Sequence, residues 1–179
     1  MEWSAFSEKL LPKVFKLAAL EYTSVSRNAA AQIMTAAAIV AAEKKAIEGT
    51  VLYPYMELCQ DSDMIIRKTV LNNLKLIFQK VEPSEVERLF FSDLVMHLND
   101  PNAGIRGIII DVILTSHKLF STPSLLKEFV PQLIKEIEQG WKDSDCWLLQ
   151  NFALAIGFLQ ERELVQDEYI PAINKFFDV

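Results

Sequence analysis

The chain has 179 residues, of which 51% are hydrophobic, and it carries a formal net charge of −6. This apolar fraction is sufficient for a packed core and excludes an intrinsically disordered chain. The acidic balance disfavours nucleic acid as a partner, because phosphate binding depends on lysine and arginine.

The N-terminal residues show no targeting segment. Met1 is followed by Glu2 and Trp3, not by the basic and apolar regions of a signal peptide. The most apolar uncharged stretch, residues 28–42, is shorter than the roughly 20 residues that a membrane span requires. We therefore expect a soluble protein of the cytoplasm or nucleus with no membrane insertion. Its two cysteines, Cys59 and Cys146, are expected to be buried free thiols.

Helix-forming residues dominate the chain, which has only 5 Gly and 7 Pro, and their apolar periodicity recurs. We predict an all-α fold in a single domain spanning residues 1–179, in which each repeat is a pair of helices. The predicted repeats are 5–48, 50–82, 84–121 and 123–162, followed by a half repeat at 167–179. The predicted first helices are 6–20, 51–60, 85–99 and 125–142, and the predicted second helices are 26–47, 64–81, 105–120 and 146–160.

An acidic residue followed six positions later by arginine marks the turn inside each repeat. The pair is Asp61 with Arg67 in the second repeat, and it recurs at steps of 40, 39 and 43 residues. The other copies are Glu21 with Arg27, Asp100 with Arg106, and Asp143, which has Leu149 in the arginine position. We expect each arginine to pair with an acidic residue of its own or the neighbouring repeat. Short carboxylates at these turns are also expected to cap the second helices.

The second helices carry apolar residues three, seven and ten positions after the arginine. In the second repeat these residues are Val70, Leu74 and Ile77. Because this spacing keeps them on one face of an α-helix, we expect the face to be buried.

The segment from Tyr53 to Arg67 resembles a HEAT repeat, particularly the kind found in the scaffold subunit of protein phosphatase 2A. The resemblance rests on Tyr53-Pro54, on Cys59-Gln60-Asp61, and on Asp63 and Ile66-Arg67. It implies a right-handed α-solenoid of antiparallel helix pairs, of the armadillo type, in which aspartate and arginine form a ladder between repeats. It also implies a scaffold or regulatory subunit whose partners are other proteins, with phosphatase or regulatory subunits as candidates.

Signs of catalysis or metal binding are weak. The two histidines, His97 and His117, have no cysteine, serine or carboxylate at a motif spacing, and no glycine-rich phosphate loop is present. The Asp61-x-Asp63 pair lacks the glycine and glutamate of a calcium loop, since Ile66 and Asn72 occupy those positions. We expect no enzyme activity, no cofactor, no metal and no small-molecule substrate.

The second helices of curved solenoids usually line the concave side, where partners bind. Polar positions one and five residues after each arginine predict a binding ridge there. The ridge residues are Asn28, Gln32, Lys68, Asn72, Lys75, Gly107, Asp111 and Gln150. A merely solvated face explains these residues equally well. Two other functions stay open, a tubulin-binding module of the TOG type and a nuclear-transport or vesicle-adaptor segment.

Overall fold

A computed structural model describes residues 3–19, 22–41, 47–48, 50–143, 155 and 157–158. The predicted all-α class is confirmed, because these residues form helices joined by turns and contain no strand. The chain divides into two compact units, residues 1–90 and 91–179, and each is described by itself. No helix within the described ranges is long and apolar enough to cross a membrane.

The first unit begins with two short helices and continues with longer ones. They are α1 (Trp3–Lys9), α2 (Leu11–Ala18), α3 (Ser24–Val40), α4 (Leu52–Cys59) and α5 (Met64–Phe78). The predicted first helix of repeat one is therefore divided at Leu10, directly before the Leu11-Pro12 start of α2. Proline fits the first turn of a helix, because backbone N–H groups there have no acceptor inside the helix and a missing N–H costs no hydrogen bond.

The helices of the first unit form two hairpins that lie side by side. α2 packs against α3, and α4 packs against α5. Contacts also join the two first helices, α2 and α4, and the two second helices, α3 and α5. First helices therefore contact first helices, and second helices contact second helices, in two layers. A stack of helix pairs has this arrangement.

The predicted apolar face of the second helices is confirmed as the core. Ala30, Met34 and Ala37 of α3 are buried, as are the equivalent residues of α5. The α5 residues are Val70, Leu74 and Ile77.

A buried polar contact joins three helices of this unit. The hydroxyl of Tyr55 in α4 donates to the carbonyl oxygen of Val70 in α5 at 3.0 Å. It lies 3.0 Å from the hydroxyl of Thr35 in α3, which also contacts the carbonyl of Ala31. Because the Tyr55 side chain is fully buried, these partners replace the water that its hydroxyl loses.

The boundary between the units falls within α6 (Pro83–His97), and the second unit continues with α7 (Ala103–Thr115). A 3₁₀ turn (His117–Leu119) follows, then α8 (Thr122–Ser124), a π-helical turn (Leu125–Phe129) and α9 (Val130–Asp143). The predicted core residues of α7 are confirmed for Ile109 and Ile113, whereas Ser116 is half-buried.

Side-chain caps start α3, α5 and α7. Thr23 accepts from the backbone of Ser26 before α3, and Asp63 accepts from that of Ile65 before α5. Before α7 the cap is Asn102, which accepts from Ile105. The predicted cap Asp100 lies two residues further upstream, where its carboxylate accepts from the backbone N–H of Asn102.

Parts of the predicted organisation fall outside the described residues. These parts are most of the second helix at 146–160, the half repeat at 167–179 and Cys146. The continuous single domain stays a prediction. The prediction of a buried free thiol is confirmed at Cys59.

Candidate protein-binding surface

The turn between α4 and α5 holds a buried ion pair to the preceding hairpin. Arg27 in α3 donates from Nε to Oδ2 of Asp61 at 2.7 Å, and from Nη2 to Oδ1 at 3.0 Å. The Asp61 and Arg27 side chains are 1% and 9% exposed. The hydrogen bond to Asp61 raises the pKa of Arg27 above its ordinary value. The pair therefore links the second helix of one hairpin to the turn of the next.

Asp61 also shapes its own turn. Its Oδ1 accepts from the backbone N–H of Asp63 at 2.8 Å, so one carboxylate serves both the turn and Arg27. This arrangement accounts for an aspartate at this position, because a longer side chain does not return to the backbone two residues on.

The arginines at the repeated position, Arg27, Arg67 and Arg106, share a contact that was not predicted from the sequence. Each donates from Nη1 to a backbone carbonyl five or six residues earlier, in the turn before its own helix. Arg27 reaches Tyr22, Arg67 reaches Asp61 and Ser62, and Arg106 reaches Asp100 and Pro101. The arginine therefore holds the turn of its own repeat through backbone atoms.

The acidic partner of Arg106 differs from the residues that sequence spacing pointed to. Its Nε lies 3.0 Å from both carboxylate oxygens of Glu136 in α9. Glu136 is buried and follows Phe129 and Leu133 on the buried side of its helix. A lone carboxylate on an apolar face was the signal that could have identified it. The side chains of Glu21 and Asp143, predicted for the same ladder, lie outside the described residues.

The predicted ridge residues of the first unit lie on the outward sides of α3 and α5. Gln32 and Asn72 are exposed, and Lys68 and Lys75 are half-buried. The side-chain amide of Asn72 donates to the carbonyl of Lys68 at 2.8 Å. Apolar side chains interrupt this polar row, and they are Ile39, Ile65 and Leu76, which are 41%, 60% and 39% exposed. The surface is therefore mixed in polarity, as the exposed parts of protein interfaces are.

The remaining ridge positions have different environments. Asn28 is half-buried, and its Oδ1 is shielded from solvent without a hydrogen-bond partner among the described atoms. In the second unit Asp111 is half-buried, but Gly107 is buried and so does not expose its backbone for close approach by a partner. Gln150 lies outside the described residues.

A cavity of about 450 Å³ opens between α2 and the end of α4. Its walls are mainly apolar, with Glu57, Gln60 and the paired Asp61 at one end. The apolar residues that line it are Phe15, Ala18, Ala19, Pro54 and Leu58.

Within the described part of the chain, no group of three or more His, Cys, Asp or Glu side chains is arranged to hold a metal ion. No protein-family model and no curated protein matches the chain.

Proposed function

We propose that this chain is a non-catalytic protein-binding scaffold built from HEAT-type repeats, arranged as a segment of a right-handed α-solenoid. The observation that carries the proposal is the contact repeated at Arg27, Arg67 and Arg106, whose guanidinium groups donate to the turn carbonyls of successive hairpins. A geometry that recurs at near-equal sequence steps supports a repeat stack. Such stacks offer extended surfaces for partners.

The binding surface in this proposal is the outward row of α3 and α5 in the first unit, formed by Gln32, Lys68, Asn72 and Lys75. Asp111 of α7 holds the equivalent sequence position in the second unit. The bidentate contact between Arg27 and Asp61 supports this binding surface, because a fixed angle between α3 and α5 keeps the row in one arrangement before binding. The partners are phosphatase or regulatory subunits, in the cytoplasm or nucleus.

The test is a triple substitution, Lys68→Ala, Asn72→Ala and Asp111→Ala. Partner capture by the purified chain, measured with subunits identified by mass spectrometry, should fall at least about tenfold, since each lost polar contact contributes about 1 kcal/mol. The helical circular-dichroism signal should not change. A matched control carries Asn99→Ala, Lys127→Ala and Glu128→Ala at exposed positions and should capture the partner normally.

The identity of the captured protein separates the three functions. Capture of phosphatase subunits that is lost in the triple variant supports the proposal. Tubulin or transport cargo, captured and lost in the same way, would replace the phosphatase assignment with one of the other two. Capture that persists in the triple variant contradicts the proposal that the ridge residues bind the partner.

A further inference from the structure

The cavity between α2 and α4 is lined by one side of each of these two first helices. Its wall residues have the same spacing on both helices, a step of three residues followed by a step of one. They are Phe15, Ala18 and Ala19 along α2, and Pro54, Glu57 and Leu58 along α4. Since α2 and α4 also contact each other directly, the cavity is a groove between two packed helices. Residues at this spacing share one side of a helix, so both walls present their side chains to the same space.

The charge of the groove is negative. Its charged lining residues among those described are Glu57 and Asp61, whereas the exposed lysines of α2, Lys13 and Lys16, are not part of the lining. Asp61 is paired with Arg27. Glu57 is exposed and has no ionic partner among the described residues. The last residue of α2 and the first residues after α4 also line the groove, and the C-terminal end of a helix carries a partial negative charge. This end of the groove therefore favours a cation.

Phe15 and Glu57 together favour a guanidinium over an ammonium group. A guanidinium is planar, stacks on an aromatic ring and donates two parallel hydrogen bonds to a carboxylate, whereas an ammonium is a compact point charge. Pro54 and Leu58 on the opposite wall offer apolar surface to a hydrophobic side chain beside the cation. The volume of about 450 Å³ lies within the range of roughly 300–1,000 Å³ that is usual for ligand sites.

The groove is open along its length. Leu58 and Asp61 are buried, but the other lining residues are half-buried or exposed. A small molecule is usually enclosed over roughly 70–90% of its surface, and walls that remain open to solvent do not enclose a ligand to this extent. An extended peptide has a different requirement, since its side chains enter a groove while part of its backbone stays in water.

We propose that the groove between α2 and α4 binds an arginine side chain, together with the apolar side chain next to it, from an extended segment of a partner protein. The guanidinium pairs with Glu57 and stacks on Phe15, and the apolar side chain packs on Pro54 and Leu58. The groove belongs to the first helices and uses no residue of the polar row of α3 and α5. Binding here therefore does not depend on the function proposed for that row.

The experiment uses short fluorescently labelled peptides with a central Arg-Leu pair in a glycine and serine background. In a second peptide citrulline replaces the arginine, which keeps the shape of the side chain and removes its charge. Fluorescence anisotropy with the whole chain should show binding of the arginine peptide and about fivefold weaker binding of the citrulline peptide, the upper end for a partly exposed ion pair. A third peptide with Arg-Ser at its centre should bind more weakly than the first, because it lacks the apolar side chain.

Substitutions in the chain locate the site. Glu57→Gln should weaken binding of the arginine peptide to the level of the citrulline peptide. Ala18→Leu places a larger side chain in the groove and should abolish binding of both peptides. Glu8→Gln removes an exposed carboxylate of α1 that does not line the groove, and it should leave binding unchanged. Lys68→Ala with Asn72→Ala should also leave it unchanged, so that the groove and the polar row can fail independently.

Four outcomes would overturn the proposal. Equal binding of the arginine and citrulline peptides, or equal loss in Glu57→Gln and Glu8→Gln, contradicts the pairing with Glu57. Full binding to a folded Ala18→Leu variant contradicts the location in the groove. Loss of binding in the Lys68 and Asn72 variant moves the peptide to the polar row. Binding of Nα-acetyl-arginine amide as tightly as the arginine peptide replaces the peptide with a small cationic ligand.

Discussion

Asp61 combines roles that are usually divided between residues. Its carboxylate accepts from Asp63 in its own turn and from two nitrogens of Arg27 in the preceding hairpin. Its backbone carbonyl accepts from Arg67. Loss of the side chain therefore removes a turn contact and two hydrogen bonds to the buried guanidinium of Arg27.

We expect Asp61→Ala to lower the free energy of unfolding by about 3 kcal/mol, as removal of one partner of a buried pair does. Arg27→Met with Asp61→Ala should cost less than the two single substitutions added together, because each single substitution already removes the contact between the two side chains. Urea unfolding of all four proteins measures this coupling. Strict additivity would show that no interaction energy couples Arg27 and Asp61.

At this scale the sequence identified some of the participants but not all of the pairs. Arg27, Arg67 and Arg106 could be singled out because their spacing follows the repeat, and Asp61 for the same reason. Glu136 stands out only as a carboxylate on an apolar face. Its pairing with Arg106 could not be predicted, since it depends on how α9 packs against a residue 30 positions away. The shared contacts with turn carbonyls were hidden for another reason. Backbone acceptors exist at every residue and leave no mark in the sequence.

At the scale of whole helices, the contact of Tyr55 with α3 and α5 is expected to depend on pH. Burial raises the pKa of Tyr55 well above its ordinary value, because the phenolate loses hydration. Below pH 10 the phenol is neutral in both the folded and unfolded chains. Above its ordinary pKa of about 10, only the unfolded chain releases the proton, so stability falls by about 1.4 kcal/mol per pH unit.

We expect Tyr55→Phe to destabilise the chain by about 1 kcal/mol at pH 7, because the variant loses the hydrogen bonds that the Tyr55 hydroxyl makes with Val70 and Thr35. Between pH 10 and 11 the difference from wild type should shrink and then reverse, because phenylalanine does not ionise. Urea unfolding across this pH range provides the measurement. Tyr22→Phe, at a position that is 38% exposed, serves as the matched control. If the difference in free energy of unfolding between Tyr55→Phe and wild type is constant with pH, the raised pKa of Tyr55 is contradicted.

Helix ends were harder to predict than helix faces. The buried stripe of α3 and α5 follows from apolar spacing alone, which is why Met34 and Leu74 were correctly assigned to the core. α3, however, ends at Val40 and not at residue 47, and Ala41 is extended. The alanine-rich sequence continues to favour helix past this point, so local propensity gives no stop signal there. The π-helical turn at Leu125–Phe129 likewise has no pattern in the sequence that marks it.

For the whole molecule, the sequence predicted the order of hairpins from an internal period, and the first unit has that order. The polar row of α3 and α5 was predicted because polar residues at fixed offsets are visible in the sequence. The exposure of Ile33 and Val40 on α3 was not predicted, because isoleucine and valine on a helix ordinarily indicate core.

A stack of repeats also predicts where a destabilising substitution has its effect. The stability of such an array is the sum of the stabilities of single repeats and of the contacts between neighbouring repeats, so a substitution weakens its own repeat and the adjacent one most. In Asp61→Ala, amide hydrogen exchange should accelerate in α3, α4 and α5, the helices joined by Arg27, Asp61 and Tyr55, while α7 and α9 keep wild-type protection under native conditions. Glu136→Gln is the counterpart in the second unit and should give the reverse pattern through Arg106. Uniform loss of protection across both units in either variant would contradict repeat-like stability and indicate one cooperative domain.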